Sequence, residues 1–316
     1  MKAVRFHEYG DAGVLRYEDV EQPTPGAGEV RLRVAATSFN GVDAGIRGGY
    51  LQGPFPVKLP HTPGIDIAGT VDALGEGVEN VTVGDAVIAF LPMTAPGAAA
   101  EFVIAPTQVL AAAPTSIPLP DAAALPMVGL TARQALFDDA GLQQGQRVLI
   151  NGAGGAVGGY AVQLARRAGA HVIATASPRS RDQVQSAGAD EVIDHTSTAV
   201  SDAVSEPVDV LLNLARIAPE ELERLTALVR PGGVVVNTVP TIPNPGDESR
   251  DVRAIGVFVR SDAEQLSRLS ALIDGGELSV DVAQRVPLAD LPSLHATSDA
   301  GEVFGKAVVV VDDPNN

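Results

Sequence analysis

The sequence predicts an α/β chain of two lobes, an irregular β-barrel drawn mainly from its first third and a doubly wound parallel sheet in its middle. Three observations carry this. The first third is a run of short strand-like segments broken by Gly, Pro and Asp. The middle alternates apolar strands with amphipathic helices, and one of those strands runs straight into a glycine-rich turn that opens a helix. A length of 316 residues fits two lobes better than one, because single cores seldom grow past about 250 to 300 residues.

In chain order, the barrel strands are expected at residues 2–7, 14–19, 29–38, 66–73, 85–90 and 99–104, separated by punctuation such as Pro23-Thr24-Pro25-Gly26 and Gly75-Glu76-Gly77. Helix is scarce there. After Pro118, near-continuous apolar runs at 147–151, 171–176, 191–194, 208–213 and 234–239 suit a sheet covered on both faces. Helices are expected between them at 156–168, 182–187 and 219–229. A further helix over 262–274 begins at Ser261 and Glu264, which have capping-box spacing, and stops at Gly275-Gly276. Strands at 280–286 and 307–311 flank a helix near 288–298. The expected domains are therefore 1–120, completed by 262–316, and 121–261, with a ligand cleft between them.

Composition narrows the function. With 45% hydrophobic and 19% charged residues the chain reads as globular, and its net charge of −17 disfavours nucleic acid and anionic membrane surfaces as partners. The absence of cysteine excludes disulfides, iron–sulfur clusters and thiolate zinc sites. The first residues lack the apolar core of a leader and no run approaches the length of a membrane span, so a cytoplasmic location is expected.

Asn151-Gly152-Ala153-Gly154-Gly155-Ala156-Val157-Gly158 follows a strand and opens an Ala-rich helix. Glycines let the backbone approach a pyrophosphate, and the free amides and dipole of the helix start favour its charge. The spacing fits G-x-x-G-x-x-G through Gly152, Gly155 and Gly158; a glycine-rich turn alone also reads as a tight strand-to-helix connection, but the strand before it and the helix after it favour a dinucleotide. Some 20 residues on, where a carboxylate would hold the ribose 2′-hydroxyl of NAD, stands Ala176-Ser177-Pro178-Arg179-Ser180-Arg181. Two guanidiniums there favour a 2′-phosphate, hence NADPH. Their alternative role is to solvate the first turn of a helix.

Asn40-Gly41-Val42-Asp43, the stretch Pro63-Gly64-Ile65-Asp66-Ile67-Ala68-Gly69-Thr70-Val71, Gly84-Asp85-Ala86-Val87, the run from Ala124 to Ala132, the glycine turn and Gly305-Lys306-Ala307-Val308 occur in this order. In these motifs the chain resembles the medium-chain dehydrogenase/reductases, in particular their zinc-free quinone oxidoreductase and zeta-crystallin-like branch, to which many enoyl reductases belong. The resemblance implies a GroES-like β-barrel catalytic domain joined to a Rossmann domain. It also implies NADPH as cofactor, a quinone or enone as small-molecule substrate, and a homodimer. Zinc-dependent members carry Cys at the position of Asn40 and a His-Glu pair where Ile65 and Asp66 stand. The histidines, His7, His61, His171, His195 and His295, form no ligand cluster in the sequence. No metal is expected, and a lone His61 beside a Pro-Gly turn reads as structural.

By the same resemblance, Asn40, Asp43, Thr131, Phe258 and Lys306 line the nicotinamide pocket, with the backbone of Phe258 and Val259, at the end of a strand, meeting the carboxamide. The adenosine end is assigned to Gly152, Gly155, Ala156, Val157 and Gly158, with Ser177, Arg179, Arg181, His195 and Asn213. Tyr50 is the candidate proton donor to an enolate; it reads also as a loop aromatic that only shapes the substrate pocket, with solvent supplying the proton. Asp43 reads equally as a turn or N-cap residue, and Lys306 equally as a helix cap or the partner of an acid. Asn213-Leu214-Ala215 and the proline-rich 239–243 segment depart from the family pattern. Two other classes remain open: an NADPH-binding sensor or crystallin-like protein with little catalysis, and an alcohol dehydrogenase with a different metal site.

Overall fold

The computed structural model describes residues 1–243 and 246–311. It divides the chain into a first unit, residues 1–127 with the segment from Ser261 onward, and a second unit, Val128–Arg260.

The first unit opens with β1 (Lys2–Phe6) and β2 (Leu15–Asp19), an antiparallel pair. In β3 (Glu29–Ser38) the apolar Val30, Leu32, Val34 and Ala36 are buried while the alternate residues Arg31 and Arg33 are not, the period of two that a half-covered strand requires. α1 (Gly41–Arg47) follows, then β4 (Asp66–Leu74), β5 (Ala86–Phe90), β6 (Phe102–Pro106) and β7 (Leu110–Ala112). α2 (Pro126–Arg133) leads into the second unit.

There β8 (Arg147–Asn151), α3 (Ala156–Arg167), β9 (His171–Ala176), α4 (Arg181–Ser186), β10 (Glu191–Asp194), α5 (Val200–Ala203), β11 (Val208–Asn213), α6 (Pro219–Thr226), β12 (Val229–Asn237) and β13 (Arg253–Gly256) alternate. All strand pairs are parallel, in the order β10-β9-β8-β11-β12-β13. The order reverses between β8 and β11, and open sheets of this kind bind ligands at the carboxyl ends beside that reversal. Leu149, Ile173, Leu211 and Val235, one from each of four strands, are fully buried in its core.

The chain then returns to the first unit with α7 (Ala263–Asp274), β14 (Gln284–Pro287), α8 (Leu291–Asp299) and β15 (Ala307–Val310). β14-β15-β3-β4-β5-β7 form one sheet, with β6 also pairing β3.

Several local expectations are corrected. The helix at 263 is capped by Asp262, whose side chain accepts from Gln265 N at 2.9 Å, while the Ser261 hydroxyl donates to Phe90 O. The helix expected to reach 229 stops at Thr226, because Val229 already pairs with Val208; Arg230–Gly233 loops out before Val234 pairs with Val210. The strand expected at 280–286 is confined to 284–287, and the strand that the resemblance ends at Phe258 and Val259 is β13, which stops at Gly256. Seven residues with two glycines gave no amphipathic signal for α1. It is held instead by a capping box between Asn40 and Asp43.

Candidate functional site

In the second unit the glycine turn is built for close approach. Gly152 has φ of +88°, and a Cβ there would lie 3.0 Å from Ala215 N; a Cβ on Gly158 would lie 2.3 Å from Ala153 O. Gly155 is the N-cap of α3, which begins at Ala156. Main-chain amides at a helix start make an anion cradle, which fits a dinucleotide pyrophosphate.

Beneath the turn lies a ladder that connects strand ends. β8, β11 and β12 each finish in asparagine, and Asn151, Asn213 and Asn237 stand in register. Asn151 Nδ2 donates to Asn213 Oδ1 (2.8 Å), and Asn213 Nδ2 donates to Asn237 Oδ1 (2.9 Å). At one end Thr175 Oγ1 donates to Asn151 Oδ1 and accepts from Gly152 N. At the other, Asn237 Nδ2 reaches Val239 O and Ile242 O. Asn213 also donates to Ala215 O. The two loops that depart from the family pattern are therefore pinned by the same amides that hold the glycine turn. The sequence carried this signal: three apolar runs, each ending in Asn.

A cavity of about 540 Å³ opens beside the turn, lined among others by Gly152, Thr175, His195, Thr198 and Arg216. Arg216 was not singled out from sequence; it is exposed and makes no hydrogen bond or ion pair among the described residues. Ser177 N donates to Ser180 Oγ (3.2 Å), so the 177–180 turn is closed on itself. Arg179 and Arg181 are exposed, Arg181 as the first residue of α4. Thr131 is buried on α2. Phe258 is 68% exposed and Val259 is buried, both beyond the end of β13.

The first unit holds a different kind of network. Lys306, 3% exposed, places Nζ 2.5 Å from Asn40 Oδ1, 3.2 Å from Asp66 Oδ2 and 3.3 Å from Phe39 O, which uses all three of its N–H groups. Asp66 accepts in addition from Ser38 Oγ (2.5 Å), Asn40 Nδ2 (2.9 Å) and Met127 N (2.8 Å). Asp43 accepts from Asn40 N (2.9 Å) and Gly64 N (3.1 Å). Burial lowers the Lys306 pKa against the pull of Asp66, and burial pushes Asp43 up to about 6 despite its two backbone donors. Asn40, Asp43 and Lys306 are thus brought together, with Asp66 and Ser38 as partners that the sequence reading had not assigned. Tyr50 is 86% exposed, and its hydroxyl makes no hydrogen bond among the described residues. His61 is buried edge-on against Phe6, its pKa pushed down to about 4 by burial.

Two family models match the chain: one described as the alcohol dehydrogenase GroES-like domain, over residues 26–115, and one described as zinc-binding dehydrogenase, over 187–309. The residues at the expected metal positions do not fit zinc. Asn40 presents an amide whose oxygen is taken by Lys306, Ile65 has no donor atom, and both Asp66 oxygens are engaged. Among the described residues no three His, Cys, Asp or Glu side chains are grouped to hold a metal. A chloroplast envelope quinone oxidoreductase homolog of Arabidopsis thaliana is 33% identical over 324 residues, covering 98% of each chain. The quinone oxidoreductase of Coxiella burnetii is similar in structure, with a TM-score of 0.90 at 30% identity over 99% of each chain. CurK enoyl reductase gives 0.87 at 28% over 98% of this chain and 99% of its own. A mycobacterial protein solved with NADPH gives 0.85 at 28% over 98% of this chain and 100% of its own. The fold is thus the GroES-like and Rossmann-like pair, it carries a nicotinamide cofactor, and the chain belongs to the quinone oxidoreductase-like medium-chain dehydrogenase/reductases.

Proposed function

We propose that this chain is an NADPH-dependent reductase that passes hydride to a quinone, or to the activated C=C of an α,β-unsaturated carbonyl compound, with no metal ion assisting. The observation that carries the reading is the open glycine cradle at the β8–α3 junction followed, after β9, by Arg179 and Arg181 where an acid would select the unphosphorylated coenzyme.

The bound cofactor supplies a hydride from C4 of its nicotinamide. The residues of the chain hold and orient it. Ala156, Val157 and Gly158, at the start of α3, offer main-chain amides to the pyrophosphate; Gly152 and Gly155, whose own amides bond Thr175 Oγ1 and Gly152 O, let it come close, and the Thr175–Asn151–Asn213 ladder fixes that turn. Ser177, Arg179 and Arg181 meet the 2′-phosphate, and His195 borders the adenosine. Thr131 and the main chain at Phe258 and Val259 orient the nicotinamide. Lys306, Asn40 and Asp43 spend their polar atoms on one another and on Asp66, which makes them positioning groups. Tyr50, with its hydroxyl unengaged among the described residues, donates the proton, or water does. A conjugated acceptor suits this arrangement, because its own carbonyl takes up the charge that a Lewis acid would otherwise stabilise.

The test is NADPH oxidation by chelator-treated protein across a panel of quinones, enones and enoyl thioesters. The reading expects turnover that chelation leaves unchanged. Tight NADPH binding with no acceptor reduced would instead support a binding or sensor protein. A homodimer through the outer edge of β13 belongs to the same reading. Light scattering at twice the 32.4 kDa chain mass supports it, and a monomer removes it.

A further inference from the structure

α2 does not end as an α-helix. It runs on into a π-helical turn, Gln134–Asp139, a widened form that is rare and recurs at functional sites. The first residue of that turn, Gln134, is 1% exposed. Its carboxamide makes two hydrogen bonds to the main chain of a single distant residue: Nε2 donates to Arg260 O at 2.9 Å, and Oε1 accepts from Arg260 N at 3.0 Å. Donor and acceptor together imitate one rung of a β-ladder, a side-chain amide standing in for a strand.

The segment it grips continues from the edge strand β13. β13 ends at Gly256, and Val257 N still bonds Asn237 O at 2.9 Å. Phe258 and Val259 then lie between that anchor and the Arg260 clamp. A second contact from the same turn reinforces the grip: Asp138 accepts from the Arg260 guanidinium at 2.8 Å and from Arg133 at 2.7 Å. Thr131 sits three residues before Gln134 on the continuous helical run, so Gln134 joins Thr131 to the 258–259 main chain.

We propose that Gln134 is a positioning residue for hydride transfer: its two-bond clamp on Arg260 sets where the Phe258–Val259 main chain is offered to the nicotinamide. This rests on the NADPH reading above. A misplacement of the order of an ångström is enough to cost about a hundredfold in an oriented reaction, so loss of one rung has kinetic leverage that its modest stability contribution does not suggest.

The experiment compares the wild type with Gln134→Met, which keeps length and loses both bonds, and Gln134→Asn, which keeps the amide and shortens its reach. Thermal melts of each run alongside. Binding of 2′,5′-ADP reads the adenosine end alone, and single-turnover oxidation of 4-deuterated NADPH by a naphthoquinone reads the nicotinamide end. The expected result is 2′,5′-ADP affinity within about twofold of wild type, with hydride transfer slowed about tenfold or more and its facial selectivity eroded. Equal losses at both ends, or an unchanged transfer rate in either folded variant, would overturn the proposal. Should the wild type prove to use NADH, the coenzyme reading fails separately. The same comparison with NADH and ADP then still decides the role of Gln134.

Discussion

Each unit buries a polar network, and the two are of opposite kinds. In the second unit, Thr175, Asn151, Asn213 and Asn237 form a neutral ladder in which every hydrogen bond joins amides, a hydroxyl or main chain. In the first, Lys306, Asp66 and Asp43 carry formal charge into an interior where Lys306 and Asp66 are almost wholly enclosed. A neutral ladder costs little to bury once satisfied and holds loops without reference to pH. A charged cluster is ordered by hydrogen bonds too but depends on every partner being present, because an ion left alone in the interior has lost its water. The contrast separates a neutral scaffold for strand-end loops from a cluster whose protonation state matters.

Breaking the charged cluster should produce the largest effect. Lys306→Met leaves Asp66 buried without its cation, and a loss of about 3 to 5 kcal/mol is expected in urea unfolding. Adding Asp66→Leu to Lys306→Met should restore much of that loss, since an apolar pair is often no worse than a buried ion pair. Failure of the double variant to recover would mean that the cluster is held by hydrogen bonds, as the ladder is. Asn213→Leu, which strands Asn151 Nδ2 and leaves Asn237 Oδ1 with Val239 N as its donor, should cost about 2 kcal/mol and raise the NADPH dissociation constant. No second substitution in the ladder is expected to offset it.

Changing pH should divide the units. His61, held down to about 4 in the fold, contributes stability that is complete above its unfolded pKa of 6.5 and is lost as pH falls through 4. A shift of that size is worth up to about 3 kcal/mol, and His61→Phe should flatten this limb of a urea midpoint series. His295, pushed down to about 3 by burial and then by Arg47, extends the same trend further into acid. Asp43 runs the other way: raised to about 6, it stabilises most below 3.8 and loses that contribution as pH rises through 6. The ladder titrates nowhere in this range. The smallest expected effect is Gly152→Ala, where φ of +88° alone should cost about 1 kcal/mol, read as a lower melting temperature and weaker NADPH binding.

How much of this was legible in the sequence follows from range. The strands at 147–151, 171–176, 191–194 and 208–213 were readable to the residue, because continuous apolar runs between turns are local signals. α1 and β13 were not, since each is fixed by distant partners: Gly64 for Asp43 in α1, and Asn237 for the edge strand. Within the site, Asn40, Asp43 and Lys306 were reachable only through resemblance. That Lys306 pairs with Asp66, 240 residues away, is a product of β15 lying against β3. The Gln134–Arg260 clamp joins positions 126 residues apart and has no sequence signature at all.

The most direct measurement of the central claim is the ratio of kcat/KM for NADPH over NADH with a naphthoquinone, for the wild type and for Arg179→Ala/Arg181→Ala. The account predicts a preference for NADPH of about tenfold or more that collapses in the double variant while NADH turnover holds, each lost guanidinium–phosphate contact being worth about 1.5 to 3 kcal/mol before solvent exposure reduces it. A wild type that prefers NADH, or a double variant with an unchanged ratio, would contradict it.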